Sequence, residues 1–316
     1  MAPLTRWVLS IDGGGIRGVI PALVIAYLEQ RTQRRVADLF DLVAGTSTGG
    51  ILALGLTQPS GSGTHESRYH ARELAQLYID KGRAIFDQGW WRRLRSVRGV
   101  FEEAYGADAL EQVLYTYFGE RPLADCRCPT MVACYDIERR KPVFLKSFKS
   151  EHGSVLCRSA ARATSAAPTY FEPASLILEG ETRALIDGGV FINSPSVSAY
   201  AEALKLFPDE EIRLVSVGTG ELVSPIPRER AASWGSAGWV LPLLDCMFDG
   251  VSRAADHQMR LFLDQRYHRF QTPLMQASDA LDDASPENIR ALVSVAESLI
   301  ETSRQRLDQL TEQLLA

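Results

Sequence analysis

The chain has 316 residues, 46% of them hydrophobic and 23% charged, with a formal net charge of −5. That is ordinary globular composition with ample chain for a large core, and the acidic balance argues against a nucleic acid polymer as the main partner. Cys126, Cys128, Cys134, Cys157 and Cys246 are odd in number and form no CxxC, and the five histidines form no HExxH. The expectation is therefore free thiols in a reducing compartment and no metal site.

In chain order, residues 6–11 read as a buried strand running into DGGGIRG (12–18). Ile20, Leu23, Val24, Tyr27 and Leu28 then recur at helical spacing, with Pro21 in the first turn. Residues 39–44 (LFDLVA) read as a second buried strand, and GTSTGGILALGL as a turn entering another helix. Strand, loop, helix, strand, loop, helix is the signature of a parallel α/β sheet. TQPSGSGTHES (57–67) is a polar loop, and residues 68–120 read as helical with breaks near Gly89 and Gly99. Strands are predicted at 130–135, 142–148, 175–178, 183–187 and 212–217. Ser285-Pro286 opens an amphipathic helix that should pack on the outside. No internal repeat or domain boundary interrupts the chain, so residues 1–316 are expected to form one domain. The N-terminal apolar run is too short for a secretory leader, and no unbroken apolar run approaches the ~20 residues of a membrane-spanning helix. A cytoplasmic protein able to touch membranes is the expectation.

Two glycine-rich turns carry the chemistry. Gly13-Gly14-Gly15-Ile16-Arg17-Gly18 fits G-x-G-x-x-G between a strand and a helix, as a dinucleotide site would. That reading needs an acidic residue at the end of the second strand, where Ala44-Gly45-Thr46-Ser47 stands instead, while Asp38 and Asp41 lie at the wrong end. Gly45-Thr46-Ser47-Thr48-Gly49 is G-x-S-x-G on a strand-to-helix turn, the setting of a nucleophilic serine. Gly45 and Gly49 remove side chains that would crowd so sharp a turn. In a parallel sheet both turns open on one edge, so the amides of the first can face a carbonyl poised over Ser47 as an oxyanion hole.

Ser47 needs a base. The order Ser47, Asp187, His257 matches that of α/β-hydrolases, but His257 sits in RAADHQMRLFL, a helical context without turn residues. Asp187 ends an apolar strand and precedes Gly188 and Gly189, which let backbone or substrate approach closely. A free aspartate titrates near 3.9, so its use as a base requires a dry site that raises the value.

DGGGIRG (12–18), GTSTGG (45–50) and DGG (187–189) together resemble the three motifs of patatin-like phospholipases. LYIDKGRAIF (77–86), RATSAAPTYFEP (162–173), DGGVFINSP (187–195) and SVGTG (216–220) resemble further blocks of that family, strongly over residues 6–220. The resemblance implies a three-layer α/β sandwich with a central, mostly parallel sheet flanked by helices. It implies a Ser47–Asp187 dyad without histidine, an oxyanion hole from Gly13, Gly14 and Gly15 with Arg17 beside it, and motif glycines at 18, 45, 49, 188 and 189. The reaction implied is hydrolysis of phospholipid or other acyl-ester lipid through an acyl-enzyme, without cofactor or metal. Transfer to an acceptor other than water, a non-catalytic storage role, and activation by a cyclic nucleotide, as in some bacterial relatives, remain alternatives. Trp90 and Trp91 with Arg92, Arg93, Arg95 and Arg98 could dock on anionic lipid, and residues 233–248 could line an acyl pocket or form a lid.

Overall fold

The computed structural model describes residues 4–61, 63–85 and 107–316; the Trp90–Arg98 segment lies outside them. Four parallel strands make the centre of the sheet: β1 (Thr5–Ile11), β2 (Leu42–Thr46), β7 (Glu211–Val217) and β8 (Tyr267–Phe270), in the order β2-β1-β7-β8. β3 (Thr130–Asp136) continues the parallel run beside β2, while β4 (Lys141–Lys146), β5 (Ala174–Leu178) and β6 (Glu181–Asp187) pair antiparallel.

β3 organises the sheet. β4 occupies one of its edges from Met131 to Asp136. On the other edge, β2 pairs as far as Thr46 opposite Ala133, and β6 begins with Asp187 opposite Cys134. The two strands therefore run toward each other along one edge and end on adjacent residues of β3.

Period-two alternation splits the strand residues between two apolar layers. Trp7, Leu9, Ile11, Val43, Val215 and Val217 face one core, and Val8, Leu42, Ala44, Ile212 and Leu214 face the other. The first core is covered by α1 (Val19–Thr32), α3 (Thr48–Thr57) and α4 (Ala71–Ile85), with α2 (Val36–Leu39) a short helix on the way to β2. α5 (Ala107–Phe118), α6 (Cys157–Thr164), α10 (Pro286–Thr302) and α11 (Arg304–Leu315) complete that layer. The second core is covered by α7 (Ser196–Leu206) and the 28-residue α9 (Ser236–Leu263), which follows the short α8 (Arg228–Ala232). This is the three-layer α/β architecture expected. α10 begins as predicted: the Ser285 hydroxyl accepts from the Asn288 N–H and Pro286 follows.

Two expectations shift. The second strand, expected at 39–44, spans Leu42–Thr46, because Leu39 closes a helical turn and pairing with β1 starts at Val8 opposite Leu42. β8 was missed: Tyr-His-Arg-Phe is too short and too polar to read as a buried strand. Its Arg269 is buried because it meets Asp12 at 2.6 Å and donates to the Ser216 hydroxyl at 2.7 Å. All five cysteines are free thiols. No helix among the described residues is long and apolar enough to cross a membrane.

Arg269→Ala leaves the Asp12 carboxylate buried without its cation, which should destabilise the fold by about 3–5 kcal/mol. Arg290→Ala breaks an exposed pair with Glu287 and should cost about 0–1 kcal/mol. Urea denaturation of the two variants checks the contrast.

Candidate active site

Ser47 stands at the junction of β2 and α3 with φ 56° and ψ −126°, a backbone region costly for any side-chain-bearing residue. The surrounding structure enforces it. The Ser47 N–H donates to the Thr164 hydroxyl at 3.0 Å, and that hydroxyl donates to the Ala133 carbonyl at 2.6 Å. The Thr46 hydroxyl donates to the Ile192 carbonyl at 2.8 Å. A Cβ on Gly45 would collide with the Gly49 backbone, and one on Gly49 with the Ile11 carbonyl, which explains both motif glycines.

Asp187 closes β6. Its N–H donates to the Ala166 carbonyl at 3.0 Å, and its carboxylate accepts from the Gly189 N–H at 2.7 Å. Asp187 is 2% exposed and lines the same cavity as Ser47. Burial pushes its pKa from the ordinary 3.8 up to about 7, against the opposing pull of the nearby Ser47 hydroxyl and the Gly189 N–H. Gly188 packs on the Ala133 backbone with no room for a Cβ. The block 162–173 thus has a structural meaning: Thr164 braces the serine turn, and Ala166 braces the aspartate.

The first glycine turn is held on most sides. The Asp12 N–H donates to the Val217 carbonyl at 3.0 Å and the Ile16 N–H to the Leu281 carbonyl at 2.9 Å. The Gly13 carbonyl accepts from the Thr219 hydroxyl at 2.6 Å. The expected role of Gly13 needs correction: its N–H donates to the Asn193 carbonyl at 2.9 Å and is not available to a ligand. Among the described residues, the Gly14 and Gly15 amides have no backbone acceptor, and both residues line the cavity that holds Ser47. Gly15 has φ 57°, and a Cβ there would also strike the Leu281 carbonyl. Arg17 is not aimed at that cavity. It is buried, its Nε donates to the Gly14 carbonyl at 3.2 Å, and it lines a neighbouring polar cleft. Gly18 lets α1 start against Thr48 and Tyr78.

Ser47, Asp187, Gly14, Gly15 and Gly189 meet at a cavity whose remaining wall is largely apolar, with Ile51, Leu77, Leu114, Phe118 and Phe171. Phe248 of α9 joins that wall, so part of the 233–248 stretch does line it. No histidine lines it, and His257 is exposed on α9. Among the described residues no group of His, Cys, Asp and Glu is arranged to hold a metal. A strained hydroxyl facing a neutral-range carboxylate, beside free amides in a dry pocket, suits acyl transfer. Sequence reading overlooked Thr164, Asn193, Thr219 and Arg269, which touch the motifs only through the fold.

Residues 9–200 match the family model described as Patatin-like phospholipase. Patatin-like protein 2 of Oryza sativa subsp. indica is 30% identical, the alignment covering 95% of this chain and 85% of that protein. Patatin-T5 of Solanum tuberosum is 31% identical over 94% of this chain and 84% of its own length. Human GIVD cytosolic phospholipase A2 superposes with a TM-score of 0.49 at 13% identity, covering 99% of this chain and 60% of that one.

Thr164→Val removes the acceptor of the Ser47 N–H and the donor to Ala133; it should destabilise the protein by about 1–3 kcal/mol. Asp187→Asn acts in the opposite sense. The native carboxyl holds its proton up to about pH 7 while the unfolded one releases it near 3.8, so the wild type loses stability as pH rises between those values. The Asn variant should be more stable by about 1–3 kcal/mol at pH 8, and the gain should vanish near pH 3.5. Thermal unfolding at both pH values tests this.

Proposed function

We propose, since the chain belongs to the patatin-like phospholipase family and is a lipid acyl hydrolase, that it cleaves phospholipid acyl esters with Ser47 as nucleophile and Asp187 as general base. The observation that carries this reading is the buried Asp187 carboxyl beside the strained Ser47 at the polar end of one largely apolar cavity.

Ser47 Oγ attacks the acyl carbonyl and Asp187 takes its proton. A carboxylate that titrates about 7 is matched to this task near neutral pH, whereas one at 3.9 would be about three units too weak. The developing oxyanion faces the Gly14 and Gly15 amides, with the positive end of α3 behind Ser47. Asp187 then returns the proton to the departing alkoxide, leaving an acyl-serine and a free lyso-lipid. Water enters and attacks the acyl carbonyl as Asp187 takes its proton; the C–O bond to Ser47 then breaks, Asp187 returns the proton to Ser47 Oγ, and the fatty acid leaves. The apolar wall takes the acyl chain and keeps Asp187 dry.

Substrate reaches the cavity from a lipid surface. Trp239, Leu243 and Met247 stand one helical turn apart on α9 and are 38%, 50% and 36% exposed. Phe248, next in the chain, lines the cavity. An apolar helix stripe of this kind beds into the interface of a bilayer.

Ser47→Ala and Asp187→Asn should each lower kcat/KM for a p-nitrophenyl acyl ester at least about 10³-fold, while His257→Ala leaves it unchanged. Survival of activity in Ser47→Ala refutes the mechanism. For the wild type, kcat/KM should rise with pH to a plateau above about 7, because only the ionised Asp187 accepts a proton. Leu243→Glu with Met247→Glu should slow hydrolysis of vesicle lipid far more than that of a soluble short-chain ester.

A further inference from the structure

A second cleft, of about 200 Å³, opens on the other side of the first glycine turn. Asn193 and Phe248 line both it and the acyl cavity. It begins where the polar end of the acyl cavity stops. Its character is the reverse of that cavity's. Asp12, Glu221, Asp245, Asp249 and Asp256 face it, against three arginines. Asp245, Asp249, Ser252 and Asp256 follow one another on α9 at intervals of four, three and four, so a single helix face delivers them.

Most of the cationic charge in the cleft is already used. Arg269 is bonded to Asp12 and Ser216, and Arg253 to Asp249 at 2.9 Å and Glu221 at 3.5 Å. Four groups keep an open atom; one is Asp256, whose Oδ2 accepts from Arg260 at 3.0 Å while its Oδ1 has no hydrogen-bond partner among the described residues. Arg17 is 5% exposed, and its Nη1 has no hydrogen-bond partner among the described residues. The Oδ1 of Asp12, on a residue 1% exposed, likewise has none. Asp245 makes no hydrogen bond or ion pair closer than 4 Å with any described residue, though Arg17 is its main charged neighbour. A buried donor and a buried acceptor without partners, on two residues that line one cleft, point to a ligand that carries both an anionic oxygen and a cation.

We propose that this cleft is the headgroup subsite of the enzyme and that it selects a zwitterionic phosphoammonium headgroup, with the ammonium held by Asp245 and the Asp249–Asp256 face of α9. The assignment rests on the acyl-hydrolase reading above. With the ester at Ser47 and the acyl chain in the apolar cavity, the rest of the lipid passes Asn193 and Phe248 into the cleft. The excess of carboxylates there attracts an ammonium and repels an anionic headgroup that has none.

The test uses phosphatidylcholine, phosphatidylethanolamine and phosphatidylglycerol with identical acyl chains. Each is presented at low mole fraction in neutral-detergent micelles so that surface charge does not differ. The full-length wild type should show kcat/KM at least about five-fold higher for the two zwitterionic lipids than for phosphatidylglycerol. Asp245→Asn, and Asp245→Asn with Asp249→Asn, should bring that ratio toward one, and Asp245→Glu should restore it. A ratio indifferent to these substitutions, or a wild type that prefers phosphatidylglycerol, overturns the proposal. A p-nitrophenyl acyl ester separates the two levels of inference. If the wild type cleaves the ester and the lipids without headgroup discrimination, only the subsite fails. If it cleaves neither, the hydrolase reading fails and takes the subsite with it.

Discussion

The constraint on which the site depends is the shared edge of β3. A strand edge offers one ladder of hydrogen-bonding groups, and here two strands divide it. β2 arrives from one direction and ends opposite Ala133, and β6 arrives from the other and ends opposite Cys134. Ser47 and Asp187 are the residues at those two ends. Residues 140 positions apart in sequence are therefore brought together by backbone register, before any side-chain interaction acts. A one-residue slip of either strand would turn every side chain to the opposite face and separate the pair.

Burial is the second requirement. Asp187 sits at the end of a strand, sealed by the apolar walls of the cavity, and the same dryness that raises its pKa makes it chemically useful. The site is accordingly costly to the fold. It holds a serine in an unfavourable backbone region and a carboxyl that resists ionisation. Thr164, Ala166, Ile192 and Asn193 hold both turns in place through hydrogen bonds. The buried Asp12–Arg269 pair ties the first glycine turn to the far strand of the sheet.

α9 joins the core to the two clefts. It spans the second apolar core with Met259 and Leu263, places Phe248 in the wall of the Ser47 cavity and carries acidic residues into the neighbouring polar cleft. Its exposed apolar stripe points elsewhere. One helix thus presents three chemically distinct faces: apolar toward the Ser47 cavity, acidic toward the polar cleft, and apolar toward solvent.

The local features of the site could be read from the sequence alone. Glycines at 45 and 49, the serine between them and the Asp187-Gly188-Gly189 turn are dictated by short-range sterics, so spacing reveals them. The α/β alternation and the capped helix at Ser285 are legible for the same reason. Long-range pairing decided the rest. Which amide of the first glycine turn stays free depends on Asn193 taking that of Gly13. Where Arg17 points depends on the cleft beside it. β8 exists as a strand because β7 offers it an edge and Asp12 offers its arginine a charge. That His257 is exposed on α9, away from the residues lining the Ser47 cavity, likewise came from the fold. Hydrogen-bond partners hundreds of residues away leave no periodic trace, and so only the tertiary structure could assign them.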